Sequence, residues 1–155
     1  MLLPVLEQFL AEAPREARYD AVRQSVVILM GSLAKHLDKD DDRVKPIVAK
    51  LIEALSTPSA QVQQAVADCL PALVPAVRDA APDLVKKLLQ LLLDSNKYGQ
   101  RRGAAYGLAG LVKGLGILSL KQLDIVTTLT TAVQSKKPSH REGAHRRRCR
   151  AQGTV

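Results

Sequence analysis

Apolar residues recur at helical spacing along most of the chain, in two alternating kinds of segment. The first kind carries Val5, Leu6, Phe9 and Leu10, then Ile47, Val48, Leu51, Ile52 and Leu55. It returns as Leu84, Val85, Leu88, Leu89 and Leu92, and again as Ile125, Val126, Leu129, Thr130 and Val133. Steps of three and four residues put each set on one face of a helix. The second kind follows 18 to 20 residues later and is marked by a small residue: Ser25, Ala65, Gly103 or Gly143. Val26, Val66, Ala104 and Ala144 come next. Five positions after the small residue stand Met30, Leu70 and Leu108; eight after, Leu33, Leu73 and Leu111; twelve after, Leu37, Val77 and Leu115. These offsets also share one helical face.

The joints between segments carry helix-breaking and turn chemistry. Pro4, Pro46 and Pro82 stand at the starts of three first helices, where a missing N–H costs nothing. Ala-Pro-Arg at 13–15, Ser-Thr-Pro-Ser at 56–59, Ser-Asn-Lys at 95–97 and Lys-Lys-Pro-Ser at 136–139 read as turns. Gly116 stops the third long helix. The pattern predicts helix–turn–helix units of about 40 residues, three complete and a fourth begun, stacked so that each buries one face on its neighbours. The small residue is expected to let paired helix backbones approach. Pro71 and Pro75, inside a second helix, predict a kink. Gly107, Gly110 and Gly114 weaken the next one by about 1 kcal/mol each unless close packing offsets the loss.

Composition agrees with an all-α reading. Leu and Ala supply 44 of 155 residues and aromatics only 3%, a mix that favours helices over sheets. The formal charge of +8 is unevenly placed. Residues 1–135 hold 16 Lys/Arg against 14 Asp/Glu, whereas 136–155 hold seven basic residues and one acid. Residues 1–135 are therefore read as the solenoid, and 136–155 as an incomplete repeat with a basic, disordered tail. After Ala144 the apolar columns give way to Arg148 and Ala151, which favours a truncated unit over a localisation arm. Cys69 and Cys149 are too few for a disulfide framework or a four-ligand zinc site. The longest apolar stretch falls short of the roughly 20 residues a bilayer requires. The start lacks a basic segment and cleavage site, so an intracellular protein is expected.

Candidate chemistry is sparse. The run from Gly107 to Gly116 lacks the Gly-Lys-Ser/Thr of a phosphate loop. Asp38 to Asp42 lacks the glycine and terminal glutamate of a calcium loop; it reads as a solvated loop, with Asp42 or a neighbour capping the next helix. His36, His140 and His145 fall into no catalytic grouping, so neither an enzyme nor a cofactor is expected. Basic residues matter more. Lys97, Arg101 and Arg102 stand together at the start of a second helix, with Lys86, Lys87, Lys113 and Lys121 in the same unit. Stacking can line up Arg23, Arg101 and Arg141 on one ridge, which reads either as ordinary solvated solenoid surface with ion pairs inside each repeat or as a face for RNA phosphates or an acidic protein. Too few aromatics are present for base reading.

The unit length resembles HEAT repeats, with armadillo repeats the near alternative. Longer strings resemble one family within that class. They are Tyr19 to Leu37, Val44 to Ile52, Leu55-Ser-Thr-Pro-Ser, and Gly103 to Gln122. All are similar to the large HEAT-repeat translational activator of the general amino-acid control pathway. That resemblance implies a non-enzymatic, cytoplasmic, ribosome-associated scaffold that promotes activation of the initiation factor two alpha kinase. It places this stretch in the region similar to fungal elongation factor three. The competing reading is a HEAT or armadillo adaptor, such as a nuclear-transport or phosphatase scaffold. The resemblance implies ribosome and regulatory-protein partners; Lys97, Arg101, Arg102, Arg23 and Arg141 are candidate contacts from charge and position. Val5, Leu6, Phe9 and Leu10, with no unit before them, predict marginal stability or self-association.

Overall fold

The computed structural model describes residues 2–14 and 16–135. Among these residues eight α-helices follow one another: α1 (Leu2–Glu12), α2 (Asp20–Ala34), α3 (Val44–Ala54), α4 (Ala60–Leu73), α5 (Ala81–Asp94), α6 (Tyr98–Leu115), α7 (Ser119–Gln122) and α8 (Ile125–Gln134). Among the described residues there is no strand. Helices α1–α2, α3–α4 and α5–α6 form three units, and α8 is the first helix of a fourth. The second helices stack side by side, with α4 between α2 and α6. The fold is an α-solenoid of HEAT repeats.

The columns read from sequence form the core. Met30 and Leu70 are fully enclosed and Leu108 nearly so; Leu73 and Leu111 lie eight positions after the small residue and are also buried. Ile47, Val48 and Leu51 in α3 and Val85 and Leu88 in α5 complete it from the first helices. Packing of these faces, rather than intrinsic propensity, accounts for most of the helical stability.

The small column works differently from expectation. A Cβ placed on Gly103 would fall inside the Leu55 carbonyl oxygen at the end of α3. The close approach is therefore to the preceding unit and not to the helix's own partner. Ser25, at the equivalent place in unit one, is exposed. At the same end Leu6 is buried and Phe9 and Leu10 pack on the core, so only Val5 of that predicted face, 61% exposed, stays open.

The prolines mark where α4 ends, in place of the kink expected within a longer helix: only Pro71 is inside it. Pro71 sits within α4, and at Val74 the helix gives way to a 3-10 turn over Val74–Val77, which contains Pro75. Lacking an N–H, Pro71 leaves the Ala67 carbonyl without its helical donor. Gly110 of α6 packs on that carbonyl; a Cβ there would lie 2.8 Å from the oxygen. Gly116 ends α6 with φ +93°, open to glycine at no steric cost.

Ser59 caps α4, its Oγ accepting from the Val62 N–H at 3.5 Å. Ser59→Ala is expected to lower stability by about 1 kcal/mol. Urea unfolding followed by circular dichroism measures it, and an unchanged midpoint excludes the cap as a contributor.

The Asp38–Asp42 loop corrects the capping expectation. Asp42 does not cap α3, whose N-cap residue Arg43 has no side-chain cap. Asp41 organises the turn instead. Its Oδ1 accepts from the Arg43 N–H and Nε, both at 2.9 Å, and its Oδ2 from Nη2 at 2.6 Å. Those hydrogen bonds from the Arg43 guanidinium and N–H hold the Asp41 carboxyl down at about 2. The lowered value stabilises the fold above the ordinary aspartate range near 3.9, and this contribution disappears as pH falls through about 2. Carboxyl-carbon NMR is expected to give Asp41 a midpoint near 2, returning to about 3.9 in Arg43→Gln. A midpoint unmoved by that substitution excludes Arg43 as the cause.

Candidate functional site

The residues singled out by charge divide sharply in the structure. Arg23 does not reach the surface and is corrected here: it is only 3% exposed. Its Nη2 donates to the carbonyls of Ala13 (2.8 Å) and Pro14, and its Nη1 to Glu16 O (3.5 Å) and Asp20 Oδ1 (3.4 Å). The chain turns there between α1 and α2, and a turn leaves carbonyls that a guanidinium can satisfy five ways. In unit one, the position that sequence reading assigned to an outer ridge thus points into the loops.

Gln63, in the same column of unit two, makes the point more strongly. It is fully buried. Its amide nitrogen donates to Leu55 O (3.0 Å), Thr57 O (2.7 Å) and, across the unit boundary, Gly99 O (2.9 Å). Its Oε1 accepts from Arg102 Nε at 2.8 Å. Arg102 also donates to Pro58 O and lies over the exposed Tyr98 ring, 5.7 Å from its centroid. Arg102 is therefore half committed to joining units two and three, with one side still open to solvent. Sequence reasoning missed Gln63; the signal available was its place in the Arg23 column behind a turn.

Lys97 and Arg101 remain as surface cations. Lys97 is exposed at the N-cap position of α6, its backbone N–H donating to Ser95 Oγ at 3.2 Å. Arg101 is half-buried; its backbone N–H donates to the Lys97 carbonyl at 3.1 Å, and its guanidinium makes no hydrogen bond or ion pair among the described residues. Arg141 lies outside the described residues, as does the boundary drawn at residue 136. Exposed Lys86 and Lys87 on α5, Lys113 on α6 and Lys121 on α7 are further cations of the third unit and the turn after it.

Nothing else among the described residues is arranged for chemistry. No grouping of His, Cys, Asp and Glu is fit to hold a metal ion, and no helix is long and apolar enough to cross a membrane. Cys69 is buried beside Gly31, and burial pushes its thiol up, away from the reactive thiolate.

Stacked two-helix units, inward-facing loop ties and a basic third unit define a segment of HEAT-repeat solenoid. The sequence is similar to stretches of much longer HEAT-repeat proteins. A family model described as "Stalled ribosome sensor GCN1, HEAT repeats" matches residues 1–35. The human protein named stalled ribosome sensor GCN1 is 67% identical over 144 residues, 92% of this chain and 5% of that protein. Its mouse counterpart is 69% identical over 127 residues, 81% of this chain and again 5% of its own length. The Saccharomyces cerevisiae eIF-2-alpha kinase activator GCN1 is 39% identical over 143 residues, 91% of this chain and 5% of its own. The chain thus spans about one-twentieth of the length of these relatives. No solved structure matches it.

Proposed function

We propose that this chain is a non-enzymatic, cytoplasmic scaffold segment that contributes ribosome-facing surface to a translational regulator. In the longer proteins it resembles, that regulator promotes activation of the kinase acting on initiation factor two alpha. The observation that carries this reading is 67% identity to a human stalled ribosome sensor over nearly the whole chain. Lys97 and Arg101, with the open side of Arg102, are the proposed contacts, because they are the cations that the fold leaves nearest one another at a helix start. They meet rRNA phosphates or acidic ribosomal protein by charge, a mode that weakens steeply with salt.

Sedimentation of the purified chain with ribosomes tests this. Binding at low salt is expected, weakening several-fold between about 50 and 200 mM salt. The double substitution Lys97→Glu with Arg101→Glu is expected to abolish most of it while leaving the circular dichroism spectrum unchanged. Absence of cosedimentation at low salt overturns the reading and favours a protein-binding adaptor.

A further inference from the structure

The chain has four aromatic side chains, and the fold treats one unlike the rest. Phe9, Tyr19 and Tyr106 are half-buried, whereas Tyr98, the first residue of α6, is 62% exposed. Its place in the repeat stays open when units stack. Ala60 stands five positions before the small residue of unit two, as Tyr98 does in unit three, and it is exposed although α6 packs on α4. The ring is also held. The Arg102 guanidinium lies over it, 5.7 Å from the centroid, and is itself fixed by Gln63 Oε1 at 2.8 Å and by the Pro58 carbonyl. A ring backed in this way has little freedom left to lose on binding. No second cation or ring lies against it among the described residues.

The charge around the ring has one sign. Steps of three and four residues put Tyr98, Arg101 and Arg102 on one face of α6, and exposed Lys97 immediately precedes them. From Leu84 to Gly116 there are six basic residues and one acid, Asp94. The other tyrosine with an arginine over it differs on both counts: Tyr19 is half-buried, and its Arg18 is paired with Glu16 at 2.8 Å. An acidic polypeptide would engage Lys97 and Arg101 and leave the ring unused. A group that is both planar and anionic uses all three. An unpaired nucleotide is such a group, since its base stacks on an aromatic face while its phosphates meet cations.

We infer that Tyr98 is a stacking platform for an unpaired RNA base, whose flanking phosphates are held by Lys97 and Arg101. This rests on the ribosome-facing reading above and narrows it: the start of α6 meets single-stranded RNA rather than acidic protein. Stacking accepts any base, so one ring suffices and no sequence is read.

Fluorescence anisotropy of labelled short oligouridylate and oligoadenylate tests this on the full chain at low salt, with an RNA duplex of the same length and polyglutamate for comparison. Both single strands are expected to bind, and the duplex more weakly. Tyr98→Leu is expected to weaken single-strand binding about tenfold. Tyr98→Phe is expected to leave it unchanged, because a ring without its hydroxyl still stacks. Ring-proton NMR is the second readout. The Tyr98 signals, identified by their loss in Tyr98→Phe, are expected to move upfield on adding oligouridylate while those of Tyr19 and Tyr106 stay. Tyr98→Leu protein that binds single strands like wild type overturns the inference. So do unmoved Tyr98 signals, or a preference for polyglutamate that ignores Tyr98, which favours an acidic protein partner. Sedimentation with ribosomes separates this from the wider reading. If Tyr98→Leu cosediments like wild type and charge reversal at Lys97 and Arg101 abolishes cosedimentation, stacking alone is overturned. Tyr98-dependent RNA binding without cosedimentation upholds stacking and overturns the ribosome-facing reading.

Discussion

Gly103→Ala is expected to lower the stability of the whole stack by about 2–3 kcal/mol. Alanine is the better helix former by about 1 kcal/mol, so propensity alone predicts the opposite sign. The added methyl, however, falls on the Leu55 carbonyl and within 2.9 Å of Gln63 Nε2. Backbone cannot step aside as a side-chain tip can, so α6 must lift from the end of α3. That movement also stretches the Gln63 bonds to Gly99 and Arg102, which lie on the displaced helix. Thermal unfolding is the measurement, with a fall in midpoint of roughly 5–10 °C. Ala109→Leu, on the exposed side of the same helix, is the control and is expected to leave the midpoint nearly unchanged. A stabilised Gly103→Ala protein refutes the close approach.

Gln63→Leu is expected to cost about 3–5 kcal/mol, the larger of the two effects. Leucine matches the volume and restores apolar packing, so the loss is electrostatic. The Leu55 and Thr57 carbonyls lose this donor, the Gly99 carbonyl keeps its place in the α6 ladder but loses the tie across the boundary, and Arg102 Nε loses its acceptor. A buried group left unpaired costs about 1–3 kcal/mol, and Arg102 recovers part by turning to water. Gln63→Glu retains the acceptor for Arg102 but has no donor for the carbonyls. It is expected to fall between wild type and Gln63→Leu. Urea denaturation separates the three by midpoint, and a Gln63→Leu protein as stable as wild type shows that the ties carry no net stability.

The helical core was legible because its signal is local. Met30, Leu70 and Leu108 sit five positions after a small residue and are buried as that spacing implies. Pro75 and Gly116 also act where a single residue's backbone chemistry decides the outcome. The polar interior was not legible. Gln63 is buried only because carbonyls from its own loop, and one 36 residues onward, converge on it; no periodicity encodes that meeting. Arg23 and Arg101 share a column, yet one is enclosed and the other half-open, since only the former has a turn folded over its guanidinium. Charge patterning identified cations and could not say which were already engaged. The basic third unit survives that correction; the ridge running through Arg23 does not.

The ties that join one unit to the next span 36 to 44 residues: Gly99 to Gln63, Arg102 to Gln63, Cys69 to Val27, and Arg102 to Pro58. No described hydrogen bond reaches farther along the chain than about one repeat. Loop closure is therefore never long, and each unit has its complete set of native partners once the next has been made. A chain of this kind orders itself from its first unit onward as it is synthesised, with nascent segments waiting about 40 residues rather than for a distant terminus.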